Sequence, residues 1–475
     1  MSANPPTVNP WMILPFGVLL AAIALGPLLF PKWWLRHYAK PVFALALITL
    51  GYYFFGLGAF ARVGHMVHEY FSFIALVGSL YIISGGIHIN VKGEATPFVN
   101  VVFLLTGALL ANVLGNTGAS MLLIRPWLRM NKYRVTGHHV VFFIFIISNV
   151  GGCIMPLGPP LIIGYLMGVP FGWVMQHCYP MFLVGVGVLL AIFYVVDTLN
   201  YRRAPKEIRE HLTGQHDQWR FEGLGNLGFL GIILASIFIN QPAFLREGLM
   251  IAAAIGSYFS TSKQVHDANH FDFHPIEEVA VLFIGIFATM LPALDWLEAN
   301  AGHLQGIGLT GMYWASGCLS SALDNAPTYI CFLKAISVQY SSPDFVAAVN
   351  HLVQNHGAGL SQISGPNAAQ IRQTFLLLQK YHPNELVAGK LGAEQIAIAR
   401  LLGDPSGTRA LLAISIGSVF FGANTYIGNG PNFMVKSMAD HQKIRTPGFL
   451  SYLWRFTIPY MLPTLLIVWW LFFRP

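Results

Sequence analysis

Asp324 is the one carboxylate in the middle of an interrupted apolar stretch, in the run Leu323-Asp324-Asn325-Ala326-Pro327-Thr328. Burial favours the neutral acid and a bound cation favours the carboxylate, so one such group can hold a proton or a metal ion in turn. That is the logic of exchange, and ionisable groups at membrane depth are functional by default. The plainer reading is a carboxylate capping the half-helix that follows it. Around it recur neutral oxygen donors: Asn116 and Thr117, Asn149, Asn325 and Thr328, and Asn424, Thr425, Asn429 and Asn432. Such groups suit a hard cation or a substrate carboxylate, and each could instead hydrogen-bond between helices. Glu277 and Glu278, at the start of another apolar run, are the second choice for proton coupling.

Other chemistries find little support. His266, His270 and His274 recur at four-residue spacing near Asp267 and Asp272 and would share a helical face. Without further ligands they read as a solvated or pH-sensing cluster, so no transition-metal site is expected. His65 and His68 carry the same caution. Cys153, Cys178, Cys318 and Cys331 lie in apolar stretches without CxxC spacing and read as small membrane residues. No phosphate-binding, nucleophile-elbow or dinucleotide motif is present, so neither an enzyme nor an ATP-driven pump is expected, and no cofactor.

The elements that must position these residues are membrane spans. Of the 475 residues, 55% are hydrophobic and 10% charged, against roughly 25% charged in a soluble domain. The bilayer is the expected partner. The net charge of +7 comes from short basic blocks between apolar runs, a topology signal and not a nucleic-acid surface. Spans are expected near 11–31, 41–61, 69–91, 138–167, 173–197, 223–241, 244–262, 276–297, 409–438 and 454–473. The first is read as a retained span, because no basic segment precedes it as in a signal peptide.

Two further stretches, 96–130 and 306–336, are interrupted by Gly115-Asn116-Thr117-Gly118 and Asp324-Asn325-Ala326-Pro327. Each reads as a re-entrant hairpin. Ser148 to Pro160 and Gly422 to Asn432 break later spans with Gly, Asn and Pro. Irregular backbone at membrane depth is tolerated only where protein or a water-filled cavity covers it, so these four breaks are where a site belongs. Unwound turns offer carbonyls to cations, and half-helix N-termini favour anions.

The expected fold is an all-α polytopic membrane protein of two inverted repeats, each with five spans, a re-entrant hairpin and a broken helix. The repeats cover 1–197 and 223–475, joined by a cytoplasmic linker at 198–222 expected to be an amphipathic surface helix. An insertion at about 337–408 is expected to form small surface helices without a constrained role. With the N-terminus outside, short external segments hold only Arg62, Arg246 and Arg474. Lys32, Arg36, Lys92, Arg129, Lys132, Lys206, Arg209, Arg220, Lys436 and many others fall inside.

Three stretches carry a family resemblance: 115–126 (GNTGASMLLIRP), 323–329 (LDNAPTY) and 422–436 (GANTYIGNGPNFMVK). Through them the chain resembles the ion transporter superfamily, and within it the NhaD-type sodium/proton antiporters and their citrate-transporter-like relatives. The resemblance implies a bacterial inner-membrane carrier, often a homodimer, whose hairpin tips and broken helices line the ion site. On matching positions it nominates Asn116, Thr117, Asn149, Asp324, Asn325, Asn424, Thr425 and Asn432. Two departures weigh on sodium coordination in the first half. Pro156-Leu157-Gly158-Pro159-Pro160 lacks the Asp common in antiporter relatives, and Gly115 stands where some relatives have Asp. The expected activity is exchange of sodium or lithium for protons. The alternatives are sodium- or proton-coupled symport of citrate or another carboxylate and, more remotely, a non-transporting sensor or assembly protein.

Overall fold

The computed structural model describes residues 7–90, 95–203, 220–239, 242, 244–269, 271–300, 307–355, 357–358, 360, 364–387, 389 and 391–474. Lys92, Lys206, Arg209 and His270 lie outside them. Among the described residues seven helices are long and apolar enough to cross a membrane. The chain is an all-α polytopic membrane protein, its regular exception a two-stranded antiparallel ribbon of His88–Asn90 with Arg220–Glu222.

The helices that matter for the site are α1 (Leu14–Leu29), α2 (Ala39–Gly51, continued with π geometry to Gly56), α3 (Phe60–Gly85) and α4 (Pro97–Met130). They continue with α5 (Gly137–Ile146), α6 (Pro159–Leu166), α7 (Phe171–Arg203), α8 (Asn226–Ser236), α9 (Leu245–Ser260) and α10 (His274–Ala299). Then come α11 (Leu309–Ser320), α12 (Asn325–Tyr340), α13 (Pro343–Gln354), α14 (Ala368–Tyr381) and α15 (Ala393–Leu402). The chain ends with α16 (Pro405–Phe421), α17 (Gly430–His441) and α18 (Phe449–Phe473).

Although α4 has the length of a long span, it does not cross as one. Its start is set by Thr96, whose hydroxyl accepts from Val99 N, and by Pro97, whose missing N–H costs nothing in a first turn. Gly115 then takes φ +71°, ψ 160°, and the chain reverses. Residues at the open ends of the two arms meet: Phe103 and Trp127 rings lie 5.2 Å apart, and Asn100 Nδ2 donates to Asn131 Oδ1 at 2.9 Å. The stretch is a hairpin with its tip at Gly115. The second interrupted stretch gives α11 and α12, parted by Ser321 to Asp324.

The two later breaks are also present. α5 stops at Ile146, residues 147–158 pass through one 3-10 turn, and α6 restarts at Pro159 with Gly158 before it. α16 stops at Phe421, and α17 restarts at Gly430.

One expected span needs correction. The third span is Phe60–Gly85 and not 69–91, because Val63 and Met66 carry the buried apolar face back beyond Glu69, while Arg62, His65 and Glu69 line a cavity. In the linker, residues 198–203 prolong α7 and 220–222 form a ribbon strand, and the remainder lies outside the described residues. The insertion forms the small helices expected of it, and they pack together. Phe345, Val349, Val353, Ile371, Phe375 and Leu378 from α13 and α14 bury one another in a core of their own. α15 joins this core to the main one, giving Ile396 and Ala399 to the first and Ile398 and Leu401 to the second.

Candidate functional site

Each hairpin tip is fixed by an asparagine inserted into a broken helix. Asn116 Nδ2 donates to the Ser148 and Asn149 carbonyls at 3.0 and 2.9 Å, groups freed where α5 unwinds. The amide fits because Gly152 faces it: a Cβ there would sit 1.4 Å from Asn116 Oδ1. Asn325 stands in the same relation to the second break. Its amide, oriented to satisfy its surroundings, donates to the Ser418 and Gly428 carbonyls at 3.0 and 2.6 Å, and a Cβ on Gly422 would lie 2.1 Å from that amide nitrogen.

The breaks also bind each other. Asn149 Nδ2 donates to Asn432 Oδ1 at 2.8 Å, and Asn429 Nδ2 donates to Asn149 Oδ1 at 3.1 Å and to the Ser148 carbonyl at 2.9 Å. Asn432 Nδ2 returns to the Gly422 and Thr425 carbonyls at 2.8 and 2.9 Å. Asn424 and Thr425 hold the second tip through Ser321, by Asn424 Nδ2 to its hydroxyl and Thr425 Oγ1 to its carbonyl. Most of these side chains therefore satisfy unwound backbone, as buried polar groups must. Beside Thr198 Oγ1 and His266 Nδ1 elsewhere, four atoms in this region remain buried and unpaired among the described residues: Asn116 Oδ1, Thr328 Oγ1, Ser418 Oγ and Asn424 Oδ1. All four are oxygens close to the tips.

A cavity of about 500 Å³ ends on this construction. Its floor includes Asn116, Thr117, Asp324 and Asn429, together with Gly115, Pro327 and Pro431. Asp324 is half-buried there and precedes α12, where its Oδ1 accepts from Asn325 N at 2.9 Å and the Gly430 N–H also donates to its carboxylate. Cap and cavity residue are the same side chain. The mouth holds Arg62, His65, His68, Glu69, Arg246 and Lys334. Two of these cations have buried carboxylates beside them: Arg62 pairs with Asp295 at 2.6 Å, and Arg246 with Glu247 at 2.7 Å.

A scan against protein-family models matches residues 6–473 to the family described as "Putative citrate transport". The chain belongs to that family. It is thus a citrate-transporter-like permease, a multi-pass membrane protein and a secondary transporter. A search of curated proteins returns no match.

In this citrate-transport family member the nominated residues divide. Asn116, Thr117, Asp324 and Asn429 reach the cavity, while Asn149, Asn325, Asn424, Thr425, Thr328 and Asn432 lie outside its lining, most of them bonded into the breaks behind it. Glu277 and Glu278 do not line the cavity. Glu277 is exposed, and Glu278 accepts from Ser437 Oγ of α17 at 2.8 Å. The expected histidine face does not form, because the helix begun at Lys263 ends at Ala268 and α10 begins at His274. His266 packs on Tyr258 and Phe271, whereas His274 lies near His441.

Sequence reading missed the mouth residues Glu69 and Lys334, and it missed a buried cluster at the open end of the first hairpin. There Asp197 accepts from Arg134, from His138 Nε2 at 3.0 Å and from Asn100 Nδ2 at 2.9 Å, with His139 Nε2 at 3.1 Å. Asp197 directly after the apolar run Ala191 to Val196 was the available signal. His138, His139 and Asp197 have metal-like spacing. The guanidinium of Arg134, however, already bonds both carboxylate oxygens, so a neutral ion-pair lock is the better account.

Proposed function

We propose that the protein carries a small carboxylate, citrate being the first candidate, across the membrane in exchange for or together with sodium or protons, with Asp324 as the coupling group. The observation that supports this most is the cavity itself. About 500 Å³ is the size of a small-molecule site and far exceeds what a bare ion needs. Its floor presents the amide and hydroxyl of Asn116 and Thr117 at the start of the hairpin's second arm, where backbone N–H groups favour an anion. Its mouth carries Arg62, Arg246 and Lys334 beside Glu69, with the two arginines held by Asp295 and Glu247. The unpaired oxygens of Thr328, Ser418 and Asn424 are suited to a coupling cation. We read the mouth as external, since the basic residues gather toward the other end of the bundle.

Exchange of sodium for protons without an organic substrate is the second reading, and Asp324 at the cavity floor is what favours it. Purified protein in liposomes under an imposed pH gradient separates the two. Citrate should be taken up, and sodium, lithium or potassium alone should leave the gradient intact. Collapse of the gradient by sodium or lithium with no citrate present would replace carboxylate transport with antiport.

A further inference from the structure

Arg125 lies on the second arm of the first hairpin, ten residues beyond the tip glycine, and is 3% exposed. Its Nη1 donates to Ser84 Oγ at 2.7 Å, and its guanidinium stands 5.0 Å from the Tyr81 ring centroid. Among the described residues no carboxylate pairs with it. The nearest acidic neighbour, Asp272, is engaged elsewhere: its carboxylate accepts from His274 N and pairs with His441. Burying a guanidinium without an anion is costly, and most buried arginines are paired. In this same protein Arg62, Arg134 and Arg246 each have a carboxylate. Of the two buried arginines among the described residues, Arg125 and Arg134, Arg125 is the exception without a carboxylate.

Its place explains the exception. The cavity is lined along one seam by Leu76, Val77 and Leu80 of α3 and by Gly118 of the hairpin. Tyr81 and Ser84 continue that face of α3, and Arg125 lies seven residues past Gly118, roughly 10 Å farther along the arm. Arg125 therefore sits in the closed continuation of the pathway beyond the cavity floor. The closure is aromatic: Phe271 packs 5.4 Å from the Tyr81 ring and close enough to Gly85 that a Cβ there would come within 2.3 Å. One turn farther, Arg129 donates to the Ala268 carbonyl and to Asn269 Oδ1, so positive charge continues toward that end.

We infer that Arg125 is an anion-binding residue of the state open at the opposite end, where its guanidinium receives a carboxylate of the substrate before release. The inference rests on the carboxylate reading above. A guanidinium paired in advance would have to break an ion pair at each turnover. One held by a hydroxyl and an aromatic ring need not, and its fork matches a carboxylate in two-point geometry.

The test compares the two faces of the membrane, using radiolabelled citrate uptake into right-side-out and everted vesicles from the same cells. Arg125→Gln should raise half-saturating citrate about tenfold in everted vesicles, the loss of one charged contact, and less than twofold in right-side-out vesicles. Arg125→Lys, which keeps the charge and the fold but loses the fork, should shift the everted value about threefold. If Arg125→Gln fails to reach the membrane, the Lys variant decides alone by the same asymmetry. Equal shifts on both faces, or none, would overturn the inference and leave a packing role. Absence of citrate uptake by the unaltered protein in both vesicle types would instead bring down the carboxylate reading on which it rests.

Discussion

The two hairpin tips solve one packing problem with different chemistry. Asn116 and Asn325 each enter a helix break opposite a glycine, Gly152 or Gly422, and each donates to carbonyls that the break has released. The first tip is otherwise neutral and turns on Gly115 alone. A Cβ at Gly115 would meet the Leu157 carbonyl at 2.9 Å, and its φ of +71° suits glycine. The second tip spreads its reversal over Ser321 to Asp324, ties Ser321 to Asn424 and Thr425, and ends in a carboxylate at the cavity floor. Where the scaffold is alike, we propose that the one difference in charge marks a difference in task. We assign recognition of substrate to the neutral tip and ion coupling to the acidic one.

The largest effect that would test this division is expected at Asp324. Asp324→Asn retains a residue that caps a helix about as well as Asp, so insertion and folding should persist. Losing an ionic contact of about 3 kcal/mol should weaken coupling-ion binding roughly 100-fold. Ion-driven uptake in liposomes reads this directly, and a variant with the original rate and ion dependence would leave the carboxylate as a cap only.

Next come the two glycines. Gly152→Ala and Gly422→Ala would each drive a methyl group into an asparagine amide that hydrogen bonds hold in place. Each should destabilise the protein by about 1–3 kcal/mol, seen as a lower melting temperature in detergent. Under the proposed division Gly152→Ala raises the half-saturating citrate concentration more than the sodium one, and Gly422→Ala does the reverse. Matching effects from both would erase the distinction.

A smaller change probes Thr328, whose buried hydroxyl has no partner. If that oxygen serves the coupling ion, Thr328→Val should raise half-saturating sodium about threefold with citrate affinity held. Unchanged transport with equal or greater thermal stability would mark the hydroxyl as dispensable, since removing an unsatisfied buried group is neutral or favourable.

The smallest effect lies away from both tips. Asp404 caps α16, accepting from Ser406 N at 2.8 Å and Gly407 N at 3.1 Å, and the Ser406 hydroxyl first, then these N–H groups, hold its carboxyl below the usual range. A depressed folded value means the cap contributes at pH above the ordinary carboxylate value of about 3.9 and is lost as pH falls below it. Asp404→Ala should therefore cost about 1 kcal/mol at neutral pH, converge with the unaltered protein in acid, and leave both affinities alone.

How legible this was in the sequence depends on range. The hairpins and breaks could be read locally, because Gly115, Asp324-Asn325-Ala326-Pro327 and Gly428 to Pro431 interrupt apolar runs in which nothing else competes for attention. Contacts between distant segments could not. Asn149 and Asn432 lie in different halves, and nothing in their neighbours announces that they touch. Glycine reads as a break whether it bends the chain, as Gly115 does, or makes room for an amide, as Gly152 does. Charges were misread where sequence could only place them in loops or spans: Glu69 belongs to a cavity mouth, and Asp197 to a buried lock. The insertion looked unconstrained because its apolar residues are few and scattered, and only their convergence in space makes a core.

That second core gives the insertion a cooperative life of its own. Residues of α13 and α14 depend on one another for burial, so they should open together, with amide hydrogen exchange at a rate separate from that of the spans. The separation is incomplete, because α15 belongs to both cores and Tyr340 at the end of α12 meets Ser406 at 2.9 Å. α12 is the helix that Asp324 begins. Anything that grips or loosens the insertion thus acts on the far end of the helix that Asp324 begins, and under the proposed coupling role the insertion's stability and ion affinity would be thermodynamically linked quantities.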